Sequence, residues 1–141
     1  MLNNKESLIK IVENLSFMME KYEEKALNNE ELTSLTGKQI NYIDIINEFN
    51  EPTFSQIAET LNVTKPTVTI AIDNLISRGY IKKIQSEKDR RVYHLRLTDK
   101  GKKVVKLHNK CHREFANKIS NCLSPEETKN LVGILKKVVE I

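Results

Sequence analysis

Tryptophan is absent from this 141-residue chain, cysteine occurs twice, proline three times and glycine four times. Each scarcity removes a class of protein. So few glycines and prolines leave little material for tight turns, which argues against an all-β sandwich and for a mainly helical chain. Two cysteines cannot staple a fold of this size and suit a reducing compartment. No apolar run approaches the roughly 18 residues a membrane-spanning helix needs. The opening Met1-Leu2-Asn3-Asn4-Lys5-Glu6 has no apolar stretch of the kind a signal peptide requires, so a cytoplasmic chain without membrane contact is expected. There is no phosphate-cradling Gly-rich loop, no nucleophile elbow and no His-Glu-x-x-His pair. The expectation is therefore no enzyme and no cofactor.

What is present is charge, unevenly placed. The formal net charge is +4, but residues 1–52 carry −5, residues 53–103 carry +6 and residues 104–141 carry +3. A basic middle between less basic flanks fits a polyanion-binding module inside a scaffold, and fits a merely solvated face as well.

Apolar spacing separates the two. Residues 5–27 repeat Leu8, Ile11, Val12, Leu15, Met18, Met19, Tyr22 and Ala26 at helical intervals, with Glu13, Glu20, Lys21 and Glu24 opposite, which predicts a helix of about six turns. Three further starts share one chemical idiom: Thr36 with Gln39, Thr53 with Gln56 and Ser124 with Glu127 are capping boxes, opening helices over 37–48, 54–61 and 125–140. Thr64 and Pro66 open another helix over 64–78, with Val68, Ile72, Leu75 and Ile76 as its apolar stripe and Arg78-Gly79 as its stop. A short helix, a tight turn at Asn62-Val63 and this second helix form a helix-turn-helix. The β signal is confined to 80–84 and 92–97, joined by the charged tip Gln85 to Arg91, and reads as a hairpin wing. Thr98 caps a last long helix over 99–121, about 35 Å. The expected fold is mainly α with a small β-hairpin wing: a winged helix-turn-helix at 36–103, with 1–35 and 104–141 as dimerisation helices.

The second helix of such a pair lies in the major groove of double-stranded DNA. The face of helix 64–78 that the stripe leaves open carries Lys65, Thr67, Thr69, Ile70, Asp73 and Asn74. Threonine bonds bases or touches a thymine methyl, asparagine pairs with adenine, and lysine reaches guanine or phosphate. Lys38, Thr53, Ser55 and Thr64 are further candidate DNA contacts, as are Lys88, Arg90 and Arg91 on the wing, where an arginine can enter a narrow minor groove. Asp89 would be repelled by phosphate. Its place among these arginines fits a brace that fixes an arginine rotamer by a bidentate pair, and fits an exposed salt bridge of little energetic worth as well.

In Leu35-Thr36-x-x-Gln39, Ile57-Ala58-x-x-Leu61-x-Val63-Thr64, Val68-Thr69, Asp73-x-Leu75, Arg78-Gly79-Tyr80-Ile81, Asp89-Arg90-Arg91 and Leu97-Thr98-x-x-Gly101, the chain resembles the MarR family of winged-helix regulators from Leu35 to about Leu135. The resemblance implies an obligate homodimer joined through the first and last helices, with helix 64–78 in the major groove and Arg91 in the adjacent minor groove. Many members carry Arg right after the Val-Thr pair; here Ile70 stands there. The stretch from Ser86-Glu87 through His94-Leu95 and Leu97-Thr98-x-Lys100-Gly101, with Leu107-His108 and His112, resembles the fatty-acid-biosynthesis repressor branch. Its members respond to long-chain acyl groups on acyl carrier protein.

Other inputs stay open. Met18, Met19, Tyr22, Tyr42 and His108 are candidates for a pocket taking a small apolar or phenolic effector, as in family members governing efflux or stress genes; the same residues also fit simple core. His108 and His112 lie one turn apart, a spacing that places two imidazoles on one metal, with Glu24 or another subunit completing the set. Cys111 and Cys122 both fall on the apolar stripe of helix 99–121, too far apart along it for an intrachain disulfide, and are expected to be buried and inert.

Overall fold

Among the residues that the computed structural model describes (1, 3–27 and 34–139), the chain forms α1 (Asn4–Leu27), α2 (Gly37–Glu48), α3 (Phe54–Leu61), α4 (Lys65–Ser77), β1 (Ile81–Gln85), β2 (Tyr93–Leu97), α5 (Asp99–Asn121) and α6 (Pro125–Val139). The mainly helical fold with one hairpin is the one the sequence predicts. Residues 28–33, between the first two expected helices, and residue 140, the last of the expected final helix, lie outside the described residues.

Local chemistry sets the boundaries. At α2, the Gln39 amide donates to Thr36 Oγ1 at 3.2 Å and the Thr36 amide to Gln39 Oε1 at 2.9 Å. The same reciprocal pair opens α3 through Thr53 and Gln56, and α6 through Ser124 and Glu127. Each box satisfies two amides that a helix start leaves without a partner, and losing a cap costs about 1 kcal/mol. α4 is one residue shorter at each end than its spacing predicts, because Thr64 is its N-cap and Arg78 its C-cap. Gly79, at φ 81°, turns the chain out of the helix. The Gly79 amide donates to Ile76 O at 2.9 Å and the Tyr80 amide to Leu75 O at 3.0 Å, the two bonds of a Schellman stop. That stop uses Tyr80, so β1 begins only at Ile81.

The hairpin is antiparallel, pairing Ile81 with Leu97 and Gln85 with Tyr93 at its two ends. β2 is also held from its other side. The Leu95 amide donates to Pro52 O at 2.9 Å, and His94 Nδ1 lies 2.9 Å from Glu51 O, so the ring carries its hydrogen there. Asn50 and Glu51 make the turn that brings this segment in, both in left-handed backbone.

The chain divides into two units, Leu27–His108 and Met1–Ala26 with Asn109–Ile141. The first encloses a core in which Ile43, Ile57, Val68, Ile72, Leu75 and Leu95 are wholly buried. Each such side chain contributes about 1.5–3 kcal/mol by leaving water. They come from α2, α3, α4 and β2, so one core fixes the helix-turn-helix and the base of the wing together.

The second unit is different. Tyr22 meets Phe115 at 5.6 Å between ring centres, and Cys111 is buried. Yet Leu8, Ile11, Val12 and Leu15 on α1, and Val132, Ile134, Leu135 and Val138 on α6, are exposed. α6 buries none of its residues. Cys122 corrects the sequence expectation: it is exposed. It lies one residue past the end of α5, in the turn to α6, so the helical stripe no longer governs where it points.

Candidate nucleic-acid interface

α4 turns Val68, Ile72 and Leu75 into the core and holds Lys65, Thr67, Thr69, Ile70, Asp73 and Asn74 on its exposed side. Several of these polar groups are already engaged within the protomer. Thr69 Oγ1 donates to Lys65 O at 2.9 Å, and the Thr64 and Thr67 hydroxyls bond each other at 2.9 Å. Asn74 Oδ1 accepts from Gln39 Nε2 at 3.2 Å. Asp73 pairs with Lys83 at 3.6 Å. Ile70 is the most exposed large apolar residue of the helix, at 74%. Lys38 and Ser55 lie exposed in the first turns of α2 and α3, with Thr53 half-buried at the α3 cap.

Across the hairpin tip, Lys88, Arg90 and Arg91 are exposed. Asp89 holds Arg91 three ways: its Oδ1 accepts from the Arg91 amide at 3.0 Å and from Nε at 3.1 Å, and its Oδ2 accepts from Nη2 at 3.1 Å. The Arg91 side chain nonetheless remains 90% exposed. The Arg91 guanidinium first, and its backbone amide second, hold the Asp89 carboxyl below its ordinary range. The tip is fastened beneath by Ser86 N to Val92 O at 2.9 Å and by Gln85 Nε2 to Arg90 O at 2.8 Å. A cation is thus presented to solvent while bonded to a neighbouring carboxylate, and a side chain ordered in advance loses less entropy on docking than a free one.

Several residues that sequence spacing does not single out complete the platform. Arg78 donates to Gln39 Oε1 at 3.2 Å and to Ser34 O at 3.1 Å, tying the end of α4 to the start of α2. Lys83 Nζ stands 5.4 Å from the Phe54 ring centre and 5.7 Å from that of Tyr93. Arg96 pairs with Glu51 beneath the wing.

The MarR family pattern matches residues 35–93, from the start of α2 to the first residue of β2. The HTH-type transcriptional regulator BilQ of Clostridioides difficile (strain CD3) is 34% identical over 136 residues, covering 96% of this chain and 90% of that protein. The chain belongs to the MarR family. Streptococcus pneumoniae FabT, solved in complex with DNA, superposes with a TM-score of 0.79 at 34% identity, over 96% of this chain and 92% of FabT. RV1404 of Mycobacterium tuberculosis, at 20% identity and a TM-score of 0.82 over 96% of this chain and 90% of its own, shares the fold. BilQ is a transcriptional regulator and FabT is solved on DNA, and this MarR-family chain is a DNA-binding transcriptional regulator rather than an enzyme. No described helix is long and apolar enough to cross a membrane.

Tyr42 is buried in the core of the winged unit. Met18, Met19 and Tyr22 are half-buried on α1. His108 Nδ1 lies 2.7 Å from Asp44 Oδ2, with His112 one turn further along α5. Glu24 is exposed and pairs with Lys21 at 3.3 Å. A cavity of about 210 Å³ in the winged unit is lined by Asn47, Asn50, Arg96 and Lys102 among others, none of them a predicted pocket residue.

Proposed function

We propose that the protein is a homodimeric repressor. It places α4 of each copy in successive major grooves of a pseudo-palindromic operator, with Arg91 in the adjacent minor groove, and controls fatty-acid biosynthesis genes in response to acyl groups on acyl carrier protein. The observation that carries the DNA geometry is Arg91, 90% exposed yet held at two points by Asp89. The likeness to FabT, whose solved form is a DNA complex, supports the same reading. The exposed apolar stripes of α1 and α6 support the dimer, because contiguous apolar surface of this kind marks a face meant for burial. The wing resemblance described above supports the fatty-acid assignment.

Selection of bound duplexes from a random library tests it. The proposal predicts an inverted repeat with half-site centres about one helical turn apart; an unsymmetrical site, or no enrichment, contradicts it. Long-chain acyl-acyl carrier protein should then shift operator affinity about 5- to 150-fold, the usual range of allosteric coupling. No difference from the unacylated carrier overturns the effector assignment.

One contact favours a second reading of the signal. A carboxylate on Nδ1 of an imidazole, as Asp44 is on His108, is the arrangement that aims the other ring nitrogen at a metal. On that reading the regulator answers to a divalent transition metal through His108 and His112. Zinc would then change operator affinity in the native protein and not in His108→Ala.

A further inference from the structure

The exposed face of α4 turns several of its polar groups back into the protomer. Ile70 stands two residues from the buried Val68, about 200° around the helix, and so directly away from the core. Pro66, one turn earlier, is exposed on the same ridge. Around this apolar ridge four polar neighbours make bonds inside the protomer: Thr69 to the Lys65 carbonyl, Thr67 to Thr64, Asn74 to Gln39 and Asp73 to Lys83. The side chain that stands most directly away from the core on this face therefore has no hydrogen-bonding group. In the major groove one base feature answers that chemistry, the 5-methyl group of thymine.

We infer that Ile70 is a specificity-determining residue that reads a thymine methyl in each half-site. The inference rests on the reading that α4 enters the major groove. The alternative at such a position, a guanidinium reading guanine O6 and N7, selects a different base by a different force. An isoleucine gains its contact by removing two apolar groups from water and discriminates by the size and presence of the methyl. Burial of one methyl-sized group predicts a loss of about fourfold in affinity when the methyl is removed from one half-site, and about fifteenfold from both.

The test uses the full-length protein and the duplex most enriched from a random library. Each thymine is replaced singly by deoxyuridine, which removes the methyl and leaves base pairing intact. Each purine is replaced singly by its 7-deaza analogue, which removes the N7 acceptor in the major groove. Affinity is read by fluorescence anisotropy for the native protein and Ile70→Ala. Ile70 is 74% exposed in the protomer, so the variant should melt as the native protein does. The expected result is one thymine per half-site whose demethylation weakens the native protein about fourfold and leaves Ile70→Ala unchanged. If 7-deaza substitution weakens binding but no deoxyuridine does, or if Ile70→Ala keeps the full sensitivity to demethylation, the inference is overturned and the groove reading stands. If neither kind of substitution matters at any position, α4 does not read the major groove and both fall.

Discussion

Gly101 and Gly37 both lie in the first turns of helices, yet the structure assigns their alanine variants opposite outcomes. A glycine in a helix is worth replacing in general, because alanine gains up to about 1 kcal/mol in helix propensity. At Gly37 a Cβ would meet nothing within 4 Å. At Gly101 it would lie 2.3 Å from Tyr80 O, with Leu97 Cδ2 and Cβ at 3.2 and 3.3 Å. Tyr80 O is backbone and accepts the Thr98 amide at 3.0 Å, so it cannot retreat without opening the junction where β2 turns into α5. Overpacking costs about 1–3 kcal/mol and the disturbed hydrogen bond about 1 kcal/mol. Against the propensity gain, Gly101→Ala should destabilise by about 1–3 kcal/mol. At about 3–4 °C per kcal/mol for a chain of this size, the melting temperature should fall by roughly 3–12 °C. Gly37→Ala should leave it unchanged or raise it slightly. Thermal unfolding followed by circular dichroism, at one fixed protein concentration, checks both. A Gly101→Ala protein as stable as the native one would refute the close approach of α5 to the strand.

Three further outcomes follow from the same geometry. Val12→Asp puts a carboxylate on the exposed apolar stripe of α1; burying it unpaired in a dimer costs about 3 kcal/mol or more, so sedimentation should show dimer association weakened about a hundredfold with helix content unchanged, and an undiminished dimer would mean that this stripe is not the interface. Asp89 is held below its ordinary carboxylate range by Arg91, so the brace contributes above that range and is lost only as pH falls through the lowered folded value; the ¹³C titration of its carboxyl should have a depressed midpoint that Arg91→Ala raises, and an ordinary midpoint in the native protein counts against the brace. Burial first, then the Glu23 and Glu114 carboxylates, push the Cys111 thiol up, whereas Cys122 is exposed; a thiol-reactive chromophore at pH 8 should therefore label Cys122 fast and Cys111 slowly, and two equally fast thiols would contradict the burial of Cys111.

The helix-turn-helix and wing were legible in the sequence because their determinants are local. Thr36, Thr53 and Ser124 each bond within one turn, and the Arg78-Gly79-Tyr80 stop is written in consecutive residues. Partners far apart in sequence were not legible. No spacing rule joins Asp73 to Lys83, Gln39 to Arg78 or Asp44 to His108, since each pair is set by how elements pack. Apolar periodicity shows that a helix has a greasy face without showing what covers it. The stripe of α4 and the stripe of α1 look alike as sequence, yet Val68 is wholly buried and Val12 is 54% exposed in the protomer. Cys122 failed for a related reason, because the stripe was extended one residue past the helix that carries it. On α4 the polar face was visible, but its hydrogen bonds back into the protomer were not.

On the proposed reading, a braced arginine on the wing and the outward face of α4 grip DNA together. The most direct measurement is the salt dependence of operator affinity for the native protein and for Arg91→Ala. Each phosphate neutralised contributes a slope of about −0.9 in log affinity against log salt. The native protein should show a steep slope set by several such contacts, and Arg91→Ala should bind more weakly while keeping its dimer and its melting temperature. A shallow slope, or an Arg91→Ala protein that binds its operator as tightly as the native one, would contradict the account.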